Sequence, residues 1–262
     1  MPATDTTPVI RFENVVKRFG DNTVLDNLNF EVAKGERVTL IGPSGSGKTT
    51  ILRLVMTLEE LTDGFIHIDG EPFVYEQRGG KRVRQKQKDI NRVSTKIGMV
   101  FQQFNLFPNM TVLENITEAQ IHVLGRSKGE AVERARELLD TVGLADKENA
   151  HPTTLSGGQQ QRVAIARALM QQPRVVLADE PVASLDPRLA GSVLRLLRQI
   201  ATEDGIPVLV SLHVLPLALE HSDRVVGLRH GRVLVSAPTA RLDADALAGL
   251  YDEEGDDDDH DL

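Results

Sequence analysis

A glycine-rich segment between a short apolar strand and a helix constrains the fold of this chain more than any other feature. The strand is predicted from Val38, Leu40 and Ile41, and the helix from the apolar residues that begin at Ile51. Between them, every position fits the pattern G-x-x-x-x-G-K-[ST]. Strand, glycine-rich loop and helix in this order predict a phosphate-binding loop, which consists of Gly42, Pro43, Ser44, Gly45, Ser46, Gly47, Lys48, Thr49 and Thr50.

The residue types in this loop suit the binding of a nucleotide. Glycines let backbone N–H groups converge on phosphate oxygens, and the positive end of the following helix adds to the attraction. Lys48 is predicted to reach the β- and γ-phosphates, and Thr49 is predicted to ligate Mg²⁺. The alternative is an ordinary glycine-rich turn, which the strand-to-helix context disfavours.

A pair of carboxylates follows another apolar strand much later in the chain. Residues 175–178 predict the strand, and Asp179 and Glu180 come directly after it. We expect Asp179 to hold the Mg²⁺ shell and Glu180 to orient an attacking water. A lone Asp-Glu pair is more often a solvated helix cap, so its weight comes from the presence of Lys48 upstream.

A third motif precedes a predicted helix over residues 160–169. Two glycines after a serine at a helix start predict a second anion-binding terminus. Taken alone, a serine-capped helix with no further role is the simpler interpretation. The motif consists of Leu155, Ser156, Gly157, Gly158 and Gln159.

Along the chain, the phosphate loop comes first, the motif at Leu155 to Gln159 second, and the strand that ends in Asp179 and Glu180 third. In this order the three motifs resemble those of the ATPase subunits of ABC (ATP-binding cassette) transporters, over about residues 10–235. The resemblance implies ATP and Mg²⁺ as cofactors. It also implies roles for four further residues. Phe19 is similar to the aromatic residue that stacks on adenine, and Gln102 to the glutamine that senses Mg²⁺ and the water. Asp186 lies in a segment similar to the loop between protomers, and His213 is similar to the histidine that contacts the γ-phosphate. Considered singly, Phe19 also fits a core position, Gln102 a surface position and His213 a structural role.

The same resemblance implies an assembly. ATP on Lys48 and Thr49 of one protomer is expected to meet Ser156 and Gly158 of the other, so the working unit is a homodimer. Gln102 would transmit motion to integral membrane permease subunits. The expected location is the cytoplasmic face of the cell membrane. An extracytoplasmic solute-binding protein would be an indirect partner, and no nucleic acid is expected to bind.

The predicted fold is α/β, a P-loop NTPase core with a mostly parallel sheet, an antiparallel β subdomain and an inserted helical subdomain. Residues 1–251 are predicted to form the ATPase domain. Residues 1–102 and 172–251 would be the nucleotide-binding core, and 103–171 the helical subdomain with the third motif. Residues 252–262 are predicted to be a disordered acidic tail.

Composition excludes several other classes of protein. The chain has no cysteine, so disulfides and cysteine-based zinc sites are absent. No apolar run is long enough to span a bilayer, and the first eight residues lack an apolar signal segment. The net charge is -8, which the acidic tail accounts for, so no field for nucleic acid is expected. The basic stretch over residues 78–96 is predicted to be an exposed loop or a solvated helix, with contact to lipid headgroups or a membrane partner as the alternative.

The transported solute is the least determined property. Residues up to about 172 resemble importers of polar amino acids and of the compatible solute ectoine, whereas residues from about 173 resemble phosphonate importers. The segment predicted to face the membrane lies in the first part, which favours a polar amino acid or an ectoine-like solute over phosphonate. A non-transport ABC ATPase is a further alternative, but no long coiled coil separates Lys48 from Asp179. A regulatory module without turnover is also disfavoured, because Glu180 and His213 are both present.

Overall fold

The computed structural model describes residues 8–242, 247 and 249–251; the predicted acidic tail lies outside them. Apolar alternation and capping residues divide the described chain into strands and helices. The strands are β1 Ile10–Phe19, β2 Asn22–Val32, β3 Arg37–Ile41, β4 Asp63–Ile68, β5 Glu71–Phe73, β6 Tyr75–Arg78, β7 Lys81–Arg84, β8 Ile97–Val100, β9 Val175–Asp179, β10 Val208–Ser211, β11 Arg224–Arg229 and β12 Arg232–Pro238. The α-helices are α1 Lys48–Val55, α2 Gln87–Ser94, α3 Val112–His122, α4 Lys128–Thr141, α5 Gly157–Leu169, α6 Pro187–Glu203 and α7 Leu215–His221.

The central sheet determines where the functional loops meet. Within the described residues its strand order is β12-β11-β3-β10-β9-β8, and all neighbours pair in parallel except β11 and β12. All five residues of β3 are buried, as a parallel strand covered on both faces requires. The carboxyl ends of β3, β8, β9 and β10 therefore deliver their following loops to one edge of the sheet.

A second sheet of antiparallel strands packs over the first helix. Its order is β2-β1-β4-β5, and the rings of Phe12 and Phe30 stack with centroids 4.4 Å apart. Ile51 and Leu52 of α1 are fully buried in the same core as Phe12 and as Leu40 of β3. The helix that follows the phosphate loop thus lies between the two sheets, and the predicted α/β architecture with an antiparallel sheet is confirmed.

Three helices, α3, α4 and α5, lie between β8 and β9 along the chain. Their apolar faces share one core, to which Ile116, Ala135, Leu139 and Val163 contribute. A capping box at Thr111 begins α3, and Ser127 caps α4 through its side chain. The division of the chain into a nucleotide-binding core and a helical subdomain at residues 103 and 171 stays a prediction.

The basic stretch over residues 78–96 differs from its prediction as a loop or solvated helix. It contains the second half of a β6–β7 hairpin, followed by α2, whose Ile90 and Val93 are buried. Gly79 and Gly80 both have positive φ, 55° and 75°, which suits a two-residue hairpin turn. The sequence contained this glycine pair as a signal for the hairpin, but the hairpin was not predicted from it. The strands β1 and β12 were not predicted from the sequence either.

Ion pairs within the chain account for most of the basic charge of this stretch. Five of its eight basic side chains are ion-paired to carboxylates of the chain, namely Arg78, Arg82, Arg84, Arg92 and Lys96. Hydrogen bonds from Arg92 and Lys96 lower the pKa of Glu71 to about 2. Separately, none of the helices in the described residues is both long and apolar enough to cross a membrane.

A buried asparagine anchors the segment that connects β8 to α3. The Asn115 side chain is almost fully buried and accepts a hydrogen bond from the Phe107 N–H at 2.8 Å. Its amide donates to the carbonyls of Phe107, Met110 and Thr111 at 3.1, 3.2 and 2.9 Å. One side chain thereby satisfies four backbone groups of the preceding loop.

Asn115→Ala is expected to lower the free energy of unfolding by about 2–3 kcal/mol, because a buried side chain and its hydrogen bonds to the loop backbone are lost. Chemical denaturation followed by circular dichroism measures the change. The matched control is Asn109→Ala, at an exposed position of the same loop, which should change stability by less than about 0.5 kcal/mol. Equal stability of the two variants would contradict the anchoring role.

Candidate functional site

The phosphate loop adopts a backbone that requires glycine at two positions. Gly42 and Gly47 have φ values of 144° and 102°. A Cβ on Gly42 would lie 2.2 Å from the Leu228 carbonyl oxygen, and one on Gly47 would lie 2.5 Å from Leu25 Cδ2. The loop is therefore pressed against both sheets, and it leads directly into the N-terminus of α1 at Lys48.

Lys48 folds back over the loop that precedes it. Its Nζ donates to the carbonyls of Gly42 and Pro43 at 2.8 and 2.9 Å. Burial lowers the pKa of Lys48, while the nearby charges of Glu180 and Asp179 oppose that shift. The Lys48 ammonium is thus held over the loop, where it can exchange its hydrogen bonds to these carbonyls for hydrogen bonds to an anion.

The hydroxyl groups of Thr49 and Ser211 connect the phosphate loop to Asp179 and Glu180. Thr49 Oγ1 donates to Asp179 Oδ1 at 3.2 Å, and Ser211 Oγ donates to the same oxygen at 2.7 Å. Ser211 Oγ also accepts from the Glu180 N–H at 2.9 Å. Ser211 is fully buried at the end of β10, beside Asp179 at the end of β9. It therefore holds both acidic residues.

Glu180 has an unusual backbone conformation that points to a local constraint. Its φ is 43°, in a region that non-glycine residues seldom occupy. The distance from Glu180 Oε2 to His213 Nδ1 is 3.5 Å. Strain at the end of β9 is thus combined with a carboxylate–imidazole contact at the mouth of the loop.

The phosphate loop and the side chains of Glu180 and His213 line an open pocket of about 500 Å³. Several backbone N–H groups, the Lys48 ammonium and a helix N-terminus meet there, which suits a polyanion of nucleotide size. The buried Ser46 Oγ has no hydrogen-bond partner among the residues that the structure describes. The lining residues are Asn22, Val24, Gly42, Ser44, Gly45, Gly47, Lys48, Thr49, Thr50, Glu180 and His213.

Phe19 lies one strand away from this pocket, opposite Asn22 in the β1–β2 ladder. Its side chain is 46% exposed, so it is not a core residue. The ammonium of Lys17 lies 4.2 Å from the centre of the Phe19 ring and donates to Glu59 Oε2 at 3.0 Å. An aromatic ring is therefore held at the surface near the pocket.

The remaining predicted residues lie away from the pocket of their own chain. Gln102 is exposed just beyond β8 and does not line the pocket. Ser156 forms a capping box with Gln159 at the start of α5, which also contains Gly157 and Gly158. Asp186 caps α6, and its Oδ1 accepts from the Arg188 and Leu189 N–H groups at 3.0 and 3.1 Å.

The sequence did not single out Ser211, which the structure places beside Asp179 and Glu180. The sequence shows it two positions before His213 at the end of an apolar strand, but nothing local indicates that it faces Asp179. Asn22 and Val24, which line the pocket from β2, were missed in the same way. All three become recognisable only through strand pairing.

A phosphate loop on a buried parallel strand, with a carboxylate pair on another strand of the same sheet, defines a P-loop nucleoside triphosphatase. The family model "ABC transporter" matches residues 25–183. The chain therefore belongs to the ABC transporter family, as the subunit that binds and hydrolyses ATP, and the resemblance noted in its sequence is confirmed.

Individual relatives agree with this assignment over nearly the whole chain. A probable amino-acid ABC transporter ATP-binding protein, y4tH of Sinorhizobium fredii, is 50% identical over 86% of this chain and 88% of its own length. The arginine transport ATP-binding protein ArgV of Corynebacterium glutamicum is 48% identical over 88% and 90%. A phosphonates import ATP-binding protein, PhnC 2 of Oceanobacillus iheyensis, is 39% identical over 93% and 95%.

The fold also matches a solved structure. The ATP-binding cassette MJ0796, in a dimeric post-hydrolysis state bound to ADP and Pi, superposes with a TM-score of 0.74. The two sequences are 35% identical, and the match covers 88% of this chain and 98% of the other.

Ser211→Ala is expected to lower kcat for ATP hydrolysis about tenfold while the KM for ATP changes little, because Asp179 and the Glu180 N–H lose a buried partner next to the reacting atoms. Steady-state ATPase assays measure both constants. Ser211→Thr retains the hydroxyl and is the matched control, with near-normal kcat. A wild-type kcat in Ser211→Ala would exclude Ser211 from catalysis.

Proposed function

We propose that this chain hydrolyses ATP to drive an importer of a small polar solute, with a polar amino acid as the preferred cargo. The observation that carries the hydrolytic part is the convergence of Lys48, Thr49, Asp179, Glu180 and His213 around one pocket. Each of these side chains can take part in binding or hydrolysing ATP there. Together they supply an anion site, oxygen ligands and a base.

The loop residues are suited to hold the triphosphate. Backbone N–H groups of residues 44–50 would donate to phosphate oxygens, and Lys48 would exchange its bonds to Gly42 and Pro43 for bonds to phosphate. Phe19 would stack on the base, since its ring is exposed beside the strand that lines the pocket. The unpartnered Ser46 hydroxyl supports a ligand at this loop.

Thr49 and Asp179 are suited to a magnesium ion. Their oxygens lie 3.2 Å apart at the edge of the pocket, and hydroxyl and carboxylate oxygens are hard ligands of the kind that Mg²⁺ binds. The ion would neutralise phosphate charge when bound. Gln102 would join this group only if the exposed loop after β8 moves toward the pocket.

Glu180 is the residue best placed to act as the base. Its carboxylate faces the pocket, where it would accept a hydrogen bond from the attacking water. His213 contacts the same carboxylate and reaches the pocket itself, so it would orient Glu180 and donate to the terminal phosphate. The Ser211 hydroxyl keeps the Glu180 backbone in place.

A homodimer would complete the site. The α5 N-terminus at Ser156–Gln159 is the positive end of a helix but lies outside the pocket of its own chain. A second protomer, placed head to tail, would bring this terminus and the Asp186 segment to the ATP held by Lys48. The dimeric state of the solved cassette MJ0796 supports this arrangement.

Glu180→Gln is expected to bind Mg-ATP without turnover and to accumulate as a dimer, because the amide keeps the shape of the carboxylate but cannot act as a base. Light scattering after size-exclusion chromatography measures the mass with and without Mg-ATP. Lys48→Ala is the control and should stay monomeric, since it loses the loop's only cation. A monomeric Glu180→Gln variant that still hydrolyses ATP would contradict the assigned role.

The segment from Gln102 to Pro108 is the proposed contact with a membrane permease. Arg167 Nη1 and Nη2 donate to the Asn105 and Phe104 carbonyls at 2.7 and 3.0 Å, which shapes the loop from behind. Phe107 is 50% exposed at its tip. An exposed apolar residue on a braced loop suits a partner helix. The subunit would then work at the cytoplasmic face of the membrane, with a solute-binding protein as an indirect partner.

The relatives favour a polar amino acid as cargo. The amino-acid and arginine transport relatives are more similar to this chain than the phosphonate relative is, although the phosphonate relative aligns over slightly more of it. An ectoine-like solute and a phosphonate are the other candidates, because the sequence carries features of both kinds of importer.

Deletion of the gene is expected to abolish uptake of a labelled polar amino acid, with arginine and glutamine as the first probes. Uptake in cells that carry the intact gene or the Glu180→Gln variant separates transport from expression, and only the intact gene should restore it. Labelled ectoine and phosphonate are measured in parallel. Normal amino-acid uptake together with lost phosphonate uptake would overturn the proposed cargo.

A further inference from the structure

Lys17 is a buried lysine whose ammonium is fixed by two oxygen atoms. The residue is 7% exposed, and its Nζ donates to Glu59 Oε2 at 3.0 Å and to the Glu60 carbonyl at 2.9 Å. Arg53 of α1 pairs with the same carboxylate, with 3.4 Å between its Nη2 and Glu59 Oε1. A buried charge requires such partners. Lys17, in β1, is thereby tied to the segment that follows α1, the helix that begins at the phosphate loop.

The same ammonium covers one face of an aromatic ring. Lys17 Nζ lies over the Phe19 ring, 4.2 Å from its centroid. The two oxygen acceptors use two of the three N–H groups of the ammonium, so one N–H remains for the ring. A desolvated ammonium attracts an aromatic face more strongly than an exposed one does, and this ammonium is almost fully desolvated. The Phe19 ring is therefore held by a cation that is itself fixed.

The opposite face of the Phe19 ring is exposed beside the pocket. Phe19 is 46% exposed although the ammonium covers one face, so the exposed surface is the opposite face and the ring edge. Phe19 pairs with Asn22 where β1 turns into β2, and both Asn22 and Val24 line the pocket around the phosphate loop. A free aromatic face is thus available next to the site that suits a nucleotide.

We propose that Lys17 is a positioning residue for the nucleotide base, which holds the Phe19 ring so that its free face receives adenine. This inference rests on the proposed binding of ATP with its base on Phe19. A ring that is fixed before the base arrives loses less side-chain entropy on stacking, which favours affinity. Lys17 does not line the pocket around the phosphate loop, so the effect is expected on the base and not on the phosphates.

Lys17→Met tests this role, since it removes the ammonium and keeps an unbranched side chain of similar length. Buried ion pairs often tolerate apolar replacement, and Glu59 keeps Arg53 as a partner. Calorimetry is expected to show a Kd for Mg-ATP about 3–5-fold higher. The Kd for inorganic tripolyphosphate, which has no base, should not change, and neither should kcat at saturating ATP.

Arg82→Met is the matched control, because Arg82 makes the same kinds of contact away from the pocket. Its guanidinium carbon lies 3.5 Å from the centre of the Tyr75 ring. Its nitrogens donate to the backbone carbonyls of Leu61, Thr62 and Gly64. This variant removes a cation from an aromatic ring and from backbone carbonyls, and the Kd for Mg-ATP should stay at the value of the unaltered protein.

A double variant separates positioning of the ring from other effects of Lys17. Phe19→Leu alone should raise the Kd for Mg-ATP but not for tripolyphosphate. Adding Lys17→Met to it should raise the Kd no further, because no ring is left to position. If Lys17→Met does not fold, Glu59→Gln replaces it, since this change keeps the ammonium but weakens its anchor. A Kd for Mg-ATP about twofold higher is then expected, and an unchanged one would count against the role.

Each other result decides the question. An unchanged Kd for Mg-ATP in Lys17→Met, an equal rise for tripolyphosphate, an equal rise in Arg82→Met, or a further rise in the double variant would overturn the positioning role. An unchanged Kd in Phe19→Leu would overturn the proposed stacking of the base, and the role of Lys17 with it. If the unaltered protein binds neither ATP nor tripolyphosphate, the proposed nucleotide site itself fails.

Discussion

The parallel alignment of β3, β9 and β10 is the constraint on which the site depends. Because the three strands run in the same direction and in register, the phosphate loop, the two carboxylates and the Ser211 hydroxyl emerge at one edge. Ser211 then joins Asp179 and Glu180 through a single buried oxygen. A change of register in any of these strands would separate groups that are about 3 Å apart.

Positively charged side chains have different partners at the pocket and on the antiparallel sheet. At the pocket, Lys48 is desolvated and bonded to carbonyls of its own loop, and its pKa is lowered by that burial. Such a group gains by exchanging carbonyls for phosphate oxygens, which suits a binding site. Near the antiparallel sheet, basic side chains form ion pairs with carboxylates. Arg92 and Lys96, for example, both pair with Glu71. Those pairs leave less charge for lipid headgroups than the sequence suggests.

The phosphate loop is supported from several directions by parts of the chain that are distant in sequence. The glycine backbone is pressed on Leu25 of β2 and on Leu228 of β11. A rigid loop loses little conformational entropy when an anion binds, so these supports favour affinity. The acidic pair has a different support, since Asp179 and the Glu180 N–H both bond to Ser211.

The sequence by itself determined the nucleotide-binding class and the alternation of strands and helices. It also predicted Lys48, Thr49, Asp179 and Glu180 as site residues, and the structure brings these four together. These signals are local, because loop conformation, strand burial and helix starts depend on neighbouring residues. The β6–β7 hairpin was also encoded locally, in Gly79 and Gly80, and was missed. Only the tertiary structure decided that Ser211 faces Asp179 and that Gly42 lies against Leu228. Those contacts join residues far apart in the chain, and strand order and packing, which no local pattern specifies, bring them together.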